Sequence, residues 1–231
     1  MKTKLISLSL ALLLGVLAWA DDIFNIKIYD DCSRNGLGIE NGYTWVDLGL
    51  PSGLKWATCN VGAEKPEDVG NYYAWGEVLP KADYSLATYK YANGASEKLT
   101  KYCNKPNYGD NGFTDNKTTL EPEDDAAYFN WGGSWRMPTD AEWTELREQC
   151  TWTWTTQNGI YGYRVASKTN SNSIFLPAML YFYDYVIGYY WSSSLNEDSP
   201  NGAWILGFDS GNVVGAKDER GNGLSVRPVC P

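Results

Sequence analysis

The chain has 231 residues, with 19 Lys and Arg against 28 Asp and Glu, a formal charge of −9 and no histidine. One domain with short flanking segments fits that length, and 43% hydrophobic residues suffice for a packed core. The negative balance argues against nucleic acid and anionic lipid as partners, and the absent histidine excludes Ser-His-Asp, Cys-His and HExxH chemistry.

Lys2 and Lys4 precede an apolar run from Leu5 to Ala18, and Ala18-Trp19-Ala20 is a small-x-small cleavage signature. Residues 1–20 therefore read as a secretory signal peptide, because the run is short for a bilayer span and ends at a cleavage site. The expected mature chain begins at Asp21 with a formal charge of −11. It is exported, to the periplasm, the cell surface or the medium, and no other segment is apolar enough for a transmembrane span. Residues 21–42 form an N-terminal extension, with Ile23, Phe24, Ile26 and Ile28 in partial alternation as in an edge strand.

The main domain is expected over 43–231. Tyr43–Leu48 and Leu54–Cys59 alternate with period two around the turn Pro51-Ser52-Gly53, which predicts a hairpin. Residues 76–122 are polar and loop-like. A first helix is expected from Glu121 through Phe129, because Pro and acidic residues suit a first turn. A second is expected over Thr139–Cys150, with Thr139 and Glu142 as a capping box and Trp143, Leu146 and Cys150 on one face. Strands follow at Thr151–Thr155, Ile160–Ala166, Ile174–Leu176, Tyr189–Trp191, Ala203–Phe208 and Leu224–Val229, with Gln157-Asn158-Gly159 as a turn. Strands on both sides of two helices give an α+β class.

The five cysteines are Cys32, Cys59, Cys103, Cys150 and Cys230. Export favours two disulfides and one spare thiol, and no CxxC spacing suggests a zinc site. Five cysteines allow 15 two-bridge pairings. Cys32, in the extension, is the candidate odd one.

Several motifs, in order, carry a resemblance. They are Asp47 to Ala63 (DLGLPSGLKWATCNVGA), Tyr73 to Glu77 (YAWGE), Asp124 to Ala127 (DDAA), Trp131 to Thr139 (WGGSWRMPT), Ile174 to Ala178 (IFLPA), Tyr190 to Ser194 (YWSSS) and Ser225 to Val229 (SVRPV). Together they resemble the Fibrobacter succinogenes major paralogous (FISUMP) domain over roughly residues 43–230. The segment from Trp135 to Trp143 is also similar to one in the sulfatase-modifying, formylglycine-generating enzymes. The resemblance implies a secreted or cell-surface bacterial protein with a C-type-lectin-like fold: two short helices, small antiparallel sheets and long loops that carry any ligand site. It also implies a disulfide from the second helix to the last strand, Cys150–Cys230, and a second bridge, Cys59–Cys103. A bridge closing so long a loop stabilises by about 4 kcal/mol in the chain-entropy model.

Trp56, Trp75, Trp131, Trp135, Trp143 and Trp191 lie in the motifs and read as core residues rather than sugar platforms. The candidate ligand-binding residues are Tyr181, Tyr183, Asp184, Tyr185 and Tyr189, because five aromatics within nine residues exceed what one strand face can bury. The candidate metal-binding residues are Asn196, Glu197, Asp198 and Asn201, an oxygen-rich loop of the kind calcium takes. The acidic stretch Asp110 to Asp125 reads as a solvated loop with Asp124 as a helix cap. Arg136 and Arg227 are expected to tie loop carbonyls together. The expected function is non-catalytic binding of a glycan or cell-surface protein. The alternatives are a structural or adhesin component without sugar binding, and an enzyme related to the formylglycine-generating family, for which Cys150 and Cys230 are the formal candidates.

Overall fold

Alternation of apolar and polar residues sets short strands in two blocks, 37–57 and 150–230. The structure is a computed structural model that describes residues 36–231 apart from 179, 183 and 184. The expected signal peptide, Cys32, Tyr183 and Asp184 lie outside the described residues. In chain order the elements are β1 (Leu37–Glu40), β2 (Tyr43–Asp47), β3 (Lys55–Ala57), α1 (Ala126–Trp131) and α2 (Asp140–Gln149). They continue with β4 (Cys150–Gln157), β5 (Ile160–Ser167), β6 (Ser173–Pro177), β7 (Leu180–Phe182), β8 (Tyr185–Leu195), β9 (Gly202–Phe208), β10 (Val213–Glu219) and β11 (Val229–Cys230). This is a mixed α+β fold dominated by three small antiparallel sheets, ordered β1-β2-β3-β11, β10-β9-β8-β7 and β4-β5-β6. No helix among the described residues is long and apolar enough to cross a membrane.

The expected hairpin forms, with Trp45 opposite Ala57 and Val46 opposite Trp56. The end of the chain closes the same sheet: Val229 pairs with Trp56 and Cys230 with Lys55. Two strands divide the core. On β3, Trp56 faces a cluster with Trp143, Tyr190, Val165, Leu176 and Phe208, while Ala57 faces one with Trp75, Trp135, Trp191 and Tyr102. On β8, Tyr190 and Trp191 part in the same way. Successive strand side chains point to opposite faces, so each strand feeds both cores.

The six motif tryptophans are core residues, none more than 5% exposed. Four of their indole N–H groups pin distant backbone, while that of Trp56 is buried without a partner. Trp75 donates to Ser192 O (2.8 Å), Trp191 to Tyr73 O (2.7 Å), Trp143 to Trp191 O (3.2 Å) and Trp135 to Glu40 O (2.7 Å). Arg227 is fully buried and donates to Asn60 Oδ1 and to the carbonyls of Ala57, Thr58 and Phe175. Arg136 forks onto both oxygens of Glu142 (2.7 and 2.6 Å) and reaches Met137 O.

Helix α2 forms as expected, with the Thr139–Glu142 capping box closed in both directions. The first helix starts later than expected. Pro122–Asp124 makes a single 3-10 turn, Asp125 takes an extended conformation (φ −89°, ψ 114°), and α1 follows. Asp125, not Asp124, is its cap, accepting from the amides of Ala127 and Tyr128. Leu224–Val229 is largely irregular, because Leu224 and Ser225 make only single bridges to Tyr73 and Tyr190. Conversely, Val213–Glu219 is a full strand paired to β9.

The cysteines depart from expectation. Cys59, Cys103, Cys150 and Cys230 all carry free thiols, and neither Cys150–Cys230 nor Cys59–Cys103 is formed. Cys150 packs in the cluster around Trp56 and Cys230 in the cluster around Trp75. Cys103 Sγ instead donates to Lys105 O at 3.2 Å.

Candidate functional site

Of the expected aromatic residues, Tyr181 on β7 and Tyr185 lie at the start of β8, where Tyr181 pairs with Val186 and Phe182 with Tyr185. The polar set, Asn196 to Asn201, follows Leu195 at the other end of this 11-residue strand. At the usual rise per residue the two ends are about 30 Å apart, so they are separate surfaces. Tyr189 is half-buried and packs against the Trp75 core, its ring over Gly207, where an added Cβ would come within 3.2 Å. It is a packing residue.

The polar end holds a cavity of about 200 Å³ lined by Asn196, Ser199, Asn201, Gly202, Lys217, Asp218 and Glu219. It lies where the 196–201 loop turns from β8 into β9, at the register pair Gly202–Glu219. The loop is built from the residues it needs. Asn196 N donates to Gly202 O and Asn196 O accepts from Ser199 N, closing a tight turn. Asn196 Oδ1 accepts from Asp198 N at 3.2 Å, an Asx-type turn.

The loop is braced from three directions. Asn104 Nδ2 donates to Glu197 O (3.1 Å) and Lys105 Nζ to Asp198 O (2.8 Å). Arg220, fully buried, donates to Pro200 O, Tyr102 O, Lys101 O and Tyr89 Oη. Its backbone amide donates to Asn201 O. Burial raises the Tyr89 hydroxyl to about 12 despite Arg220 beside it, so the contact is with a neutral phenol.

One atom in this braced loop is left over. Asn196 is 1% exposed, yet its Nδ2 has no hydrogen-bond partner. Because Oδ1 is engaged by Asp198 N, the free end is the amide donor. A buried donor without an acceptor is costly, by about 1–3 kcal/mol. On the far wall, Asp218 Oδ1 accepts from Glu219 N and Asn222 Nδ2. The lining thus combines a buried neutral donor, a lysine and two acidic residues within a small volume.

No protein-family model, curated protein or solved structure matches the chain. The chemistry of the site therefore rests on its own residues.

Of the expected metal set, the cavity gathers Asn196 and Asn201 but not Glu197 and Asp198. The carbonyls of the latter two already accept from Asn104 and Lys105. No group of three or more acidic or thiol side chains suited to a metal occurs among the described residues. With an amide donor and Lys217 in the wall, the residues do not fit a calcium ion, which needs six to eight oxygen ligands. The acidic stretch from Asp110 to Asp125 is spent internally. Asp115 accepts from the amides of Tyr102 and Cys103, and Asp124 from Tyr91, Tyr102, Lys90 and Lys101.

Besides Ser199 and Gly202 of the loop itself, sequence reasoning missed the lining residues Lys217, Asp218 and Glu219. Their signal was the turn Asp209-Ser210-Gly211-Asn212 after the strand ending at Phe208, with Val213-Val214 beyond it. Asp209 Oδ1 accepts from the amides of Gly211 and Asn212, so this turn sets β10 beside β9.

Proposed function

We propose that the protein is an exported, non-catalytic binding protein of the FISUMP type, with a C-type-lectin-like arrangement, that recognises a glycan on a cell surface through the 196–201 loop. The observation that carries this reading is the buried, unpartnered Asn196 Nδ2 in a cavity whose loop is held by Asn104, Lys105 and Arg220. An uncharged, polyhydroxylated unit suits the site best. It offers acceptors to Asn196 and Lys217 and donors to Asp218 and Glu219. A volume of about 200 Å³ is small for a ligand pocket and limits the ligand to one sugar ring or a group of that size. The cysteines support a non-catalytic role: burial raises the Cys150 thiol to about 11 and the Cys230 thiol to about 12, so neither is a thiolate nucleophile at neutral pH.

The test is binding of the chain from Asp21 to an array of plant, host and microbial polysaccharides, in calcium and in chelator. Binding is expected in both buffers. Asn196→Asp keeps Oδ1 for the Asp198 amide, replaces the NH2 donor by a second oxygen and adds a carboxylate beside Asp218 and Glu219. It is expected to weaken binding of an uncharged sugar about ten-fold or more, with circular dichroism and melting temperature checking that the fold carries the buried charge. A blank array in both buffers overturns the glycan reading and directs the search to surface proteins. Unchanged affinity in Asn196→Asp removes the cavity from the binding site.

A further inference from the structure

Each sheet of the fold leaves edges, and edges invite pairing with another chain unless they are blunted. Most edges here carry such a device. β1 has only four residues and carries Gly38 and Glu40, β7 has three, β6 ends in Pro177, and β10 carries Lys217, Asp218 and Glu219. In the first sheet, the two-residue β11 is too short to template a partner.

β4 is different. It is the outer strand of β4-β5-β6, eight residues long, and its sequence CTWTWTTQ contains no charge, proline or glycine. Its backbone pairs with β5 from Cys150 to Gln157. Among the described residues, 151–157 make no other backbone–backbone hydrogen bond. Thr151 and Thr153 are exposed, and Trp152 and Trp154 are only half-buried although they pack on the core below.

The sequence of this edge indicates its occupant. Thr151-Trp152-Thr153-Trp154-Thr155 reads the same in both directions. A strand that pairs antiparallel with its own copy, centred on Thr153, sets Thr153 against Thr153, Trp152 against Trp154 twice, and Thr151 against Thr155 twice. Aromatic and threonine cross-strand pairs are among those that stabilise sheets. The edge is neutral, so two copies meet without like charges in contact although each chain is acidic overall.

We propose that β4 is a self-pairing edge, and that two copies of the chain join there about a two-fold axis into a continuous six-stranded sheet. The interface is isologous and consumes the free edge of both copies, so assembly stops at two. It lies in a different sheet from the Asn196 cavity, and its failure would leave the glycan reading untouched.

Sedimentation equilibrium of the chain from Asp21, from low micromolar to several hundred micromolar, tests this. A monomer–dimer equilibrium is expected, with hydrogen exchange of the 151–157 amides slowing as concentration rises. Two charge variants then fix the register. Thr151→Lys with Thr155→Lys sets two like pairs face to face and is expected to raise the dimer dissociation constant at least ten-fold. Thr151→Lys with Thr155→Glu sets two opposite pairs and is expected to retain or tighten the dimer. Across β5 the two positions lie opposite Ala166 and Gly162, with Arg164 between them on the same face, so the melting temperature of each variant is measured beside its dimer constant to separate effects within the chain. A monomer at all concentrations, assembly beyond two, concentration-independent exchange at 151–157, or equal effects of the two variants would each overturn the proposal.

Discussion

Asp124 and Asp125 are neighbours in sequence and opposites in environment. Burial works against the Asp124 carboxylate, but Lys101 (2.5 Å), the hydroxyls of Tyr91 and Tyr102, and Lys90 together hold it down to about 2. Asp125 is buried as well, but backbone amides rather than lysines meet its carboxylate. Burial raises it to about 6 although the amides of Met137, Tyr128 and Ala127 all donate to it. The linkage signs are therefore opposite. Asp124 lies below its ordinary 3.8, so it stabilises the fold above about pH 4 and loses that contribution as pH falls toward 2. Asp125 lies above 3.8, so its contribution is full below about pH 4 and is lost as pH rises through about 6. Carboxyl titration by carbon-detected NMR should give one midpoint near 2 and one near 6 at these two positions. Two midpoints near 4 would mean that neither environment acts as described. Asp124→Asn takes one counter-charge from Lys101, which keeps Glu121 at 2.6 Å, and weakens the hydrogen bonds from Tyr91 and Tyr102. By the worth of hydrogen bonds to a charged group it should destabilise by about 2 kcal/mol, read from denaturant midpoints. A variant within about 0.5 kcal/mol of wild type, the range of ordinary surface changes, would show that the cluster is not structural.

Local signals determined which elements could be foreseen. Helix α2 was legible to its first residue, because Thr139 and Glu142 satisfy each other's orphan amides and stop the chain there. Thr139→Ala should cost about 1 kcal/mol, measured as a lowered urea midpoint at unchanged slope; no change would mean that packing of Trp143 and Leu146 alone sets the helix start. The β4–β5 hairpin was equally plain. Asn158 and Gly159 adopt φ of 49° and 85°, the paired left-handed conformation of a two-residue hairpin loop. Helix α1 was displaced because its acidic lead-in serves tertiary contacts. Asp124 is drawn to Lys101 and the tyrosines, so the chain turns once as 3-10 before Asp125 can cap. The stretch from Leu224 to Val229 has the composition of a strand, yet Arg227 points inward and ties three carbonyls and Asn60, replacing a ladder by side-chain hydrogen bonds. The carbonyl tie is itself expected of an arginine here, but nothing local announces that it displaces the strand ladder. The same holds at the cavity: Asn196 and Asn201 were visible as an oxygen-rich loop, but the β10 wall depends on pairing with β9.

For the whole molecule, the question is what closes a fold that has no crosslink among its described residues. Strands from both ends of the main domain meet in one sheet, through Val229 beside Trp56. Two cores, joined through β3 and β8, share tryptophans whose N–H groups reach across 48 to 118 positions of sequence. That closure performs by burial what the expected disulfides would perform by covalent constraint. If burial suffices, the thiols are passengers of packing. Cys103, Cys150 and Cys230 are buried and raised by burial, and only Cys59 is half-exposed. Replacing Cys32 by Ser removes the thiol outside the described residues. Native Cys32→Ser protein should then show at most one thiol reactive toward a disulfide reagent, and four after denaturation. Its melting temperature should be unchanged by reductant. Fewer than four thiols on unfolding, or a melting temperature lowered by reductant, would show that a crosslink shares in the closure and that burial of the two cores is not sufficient.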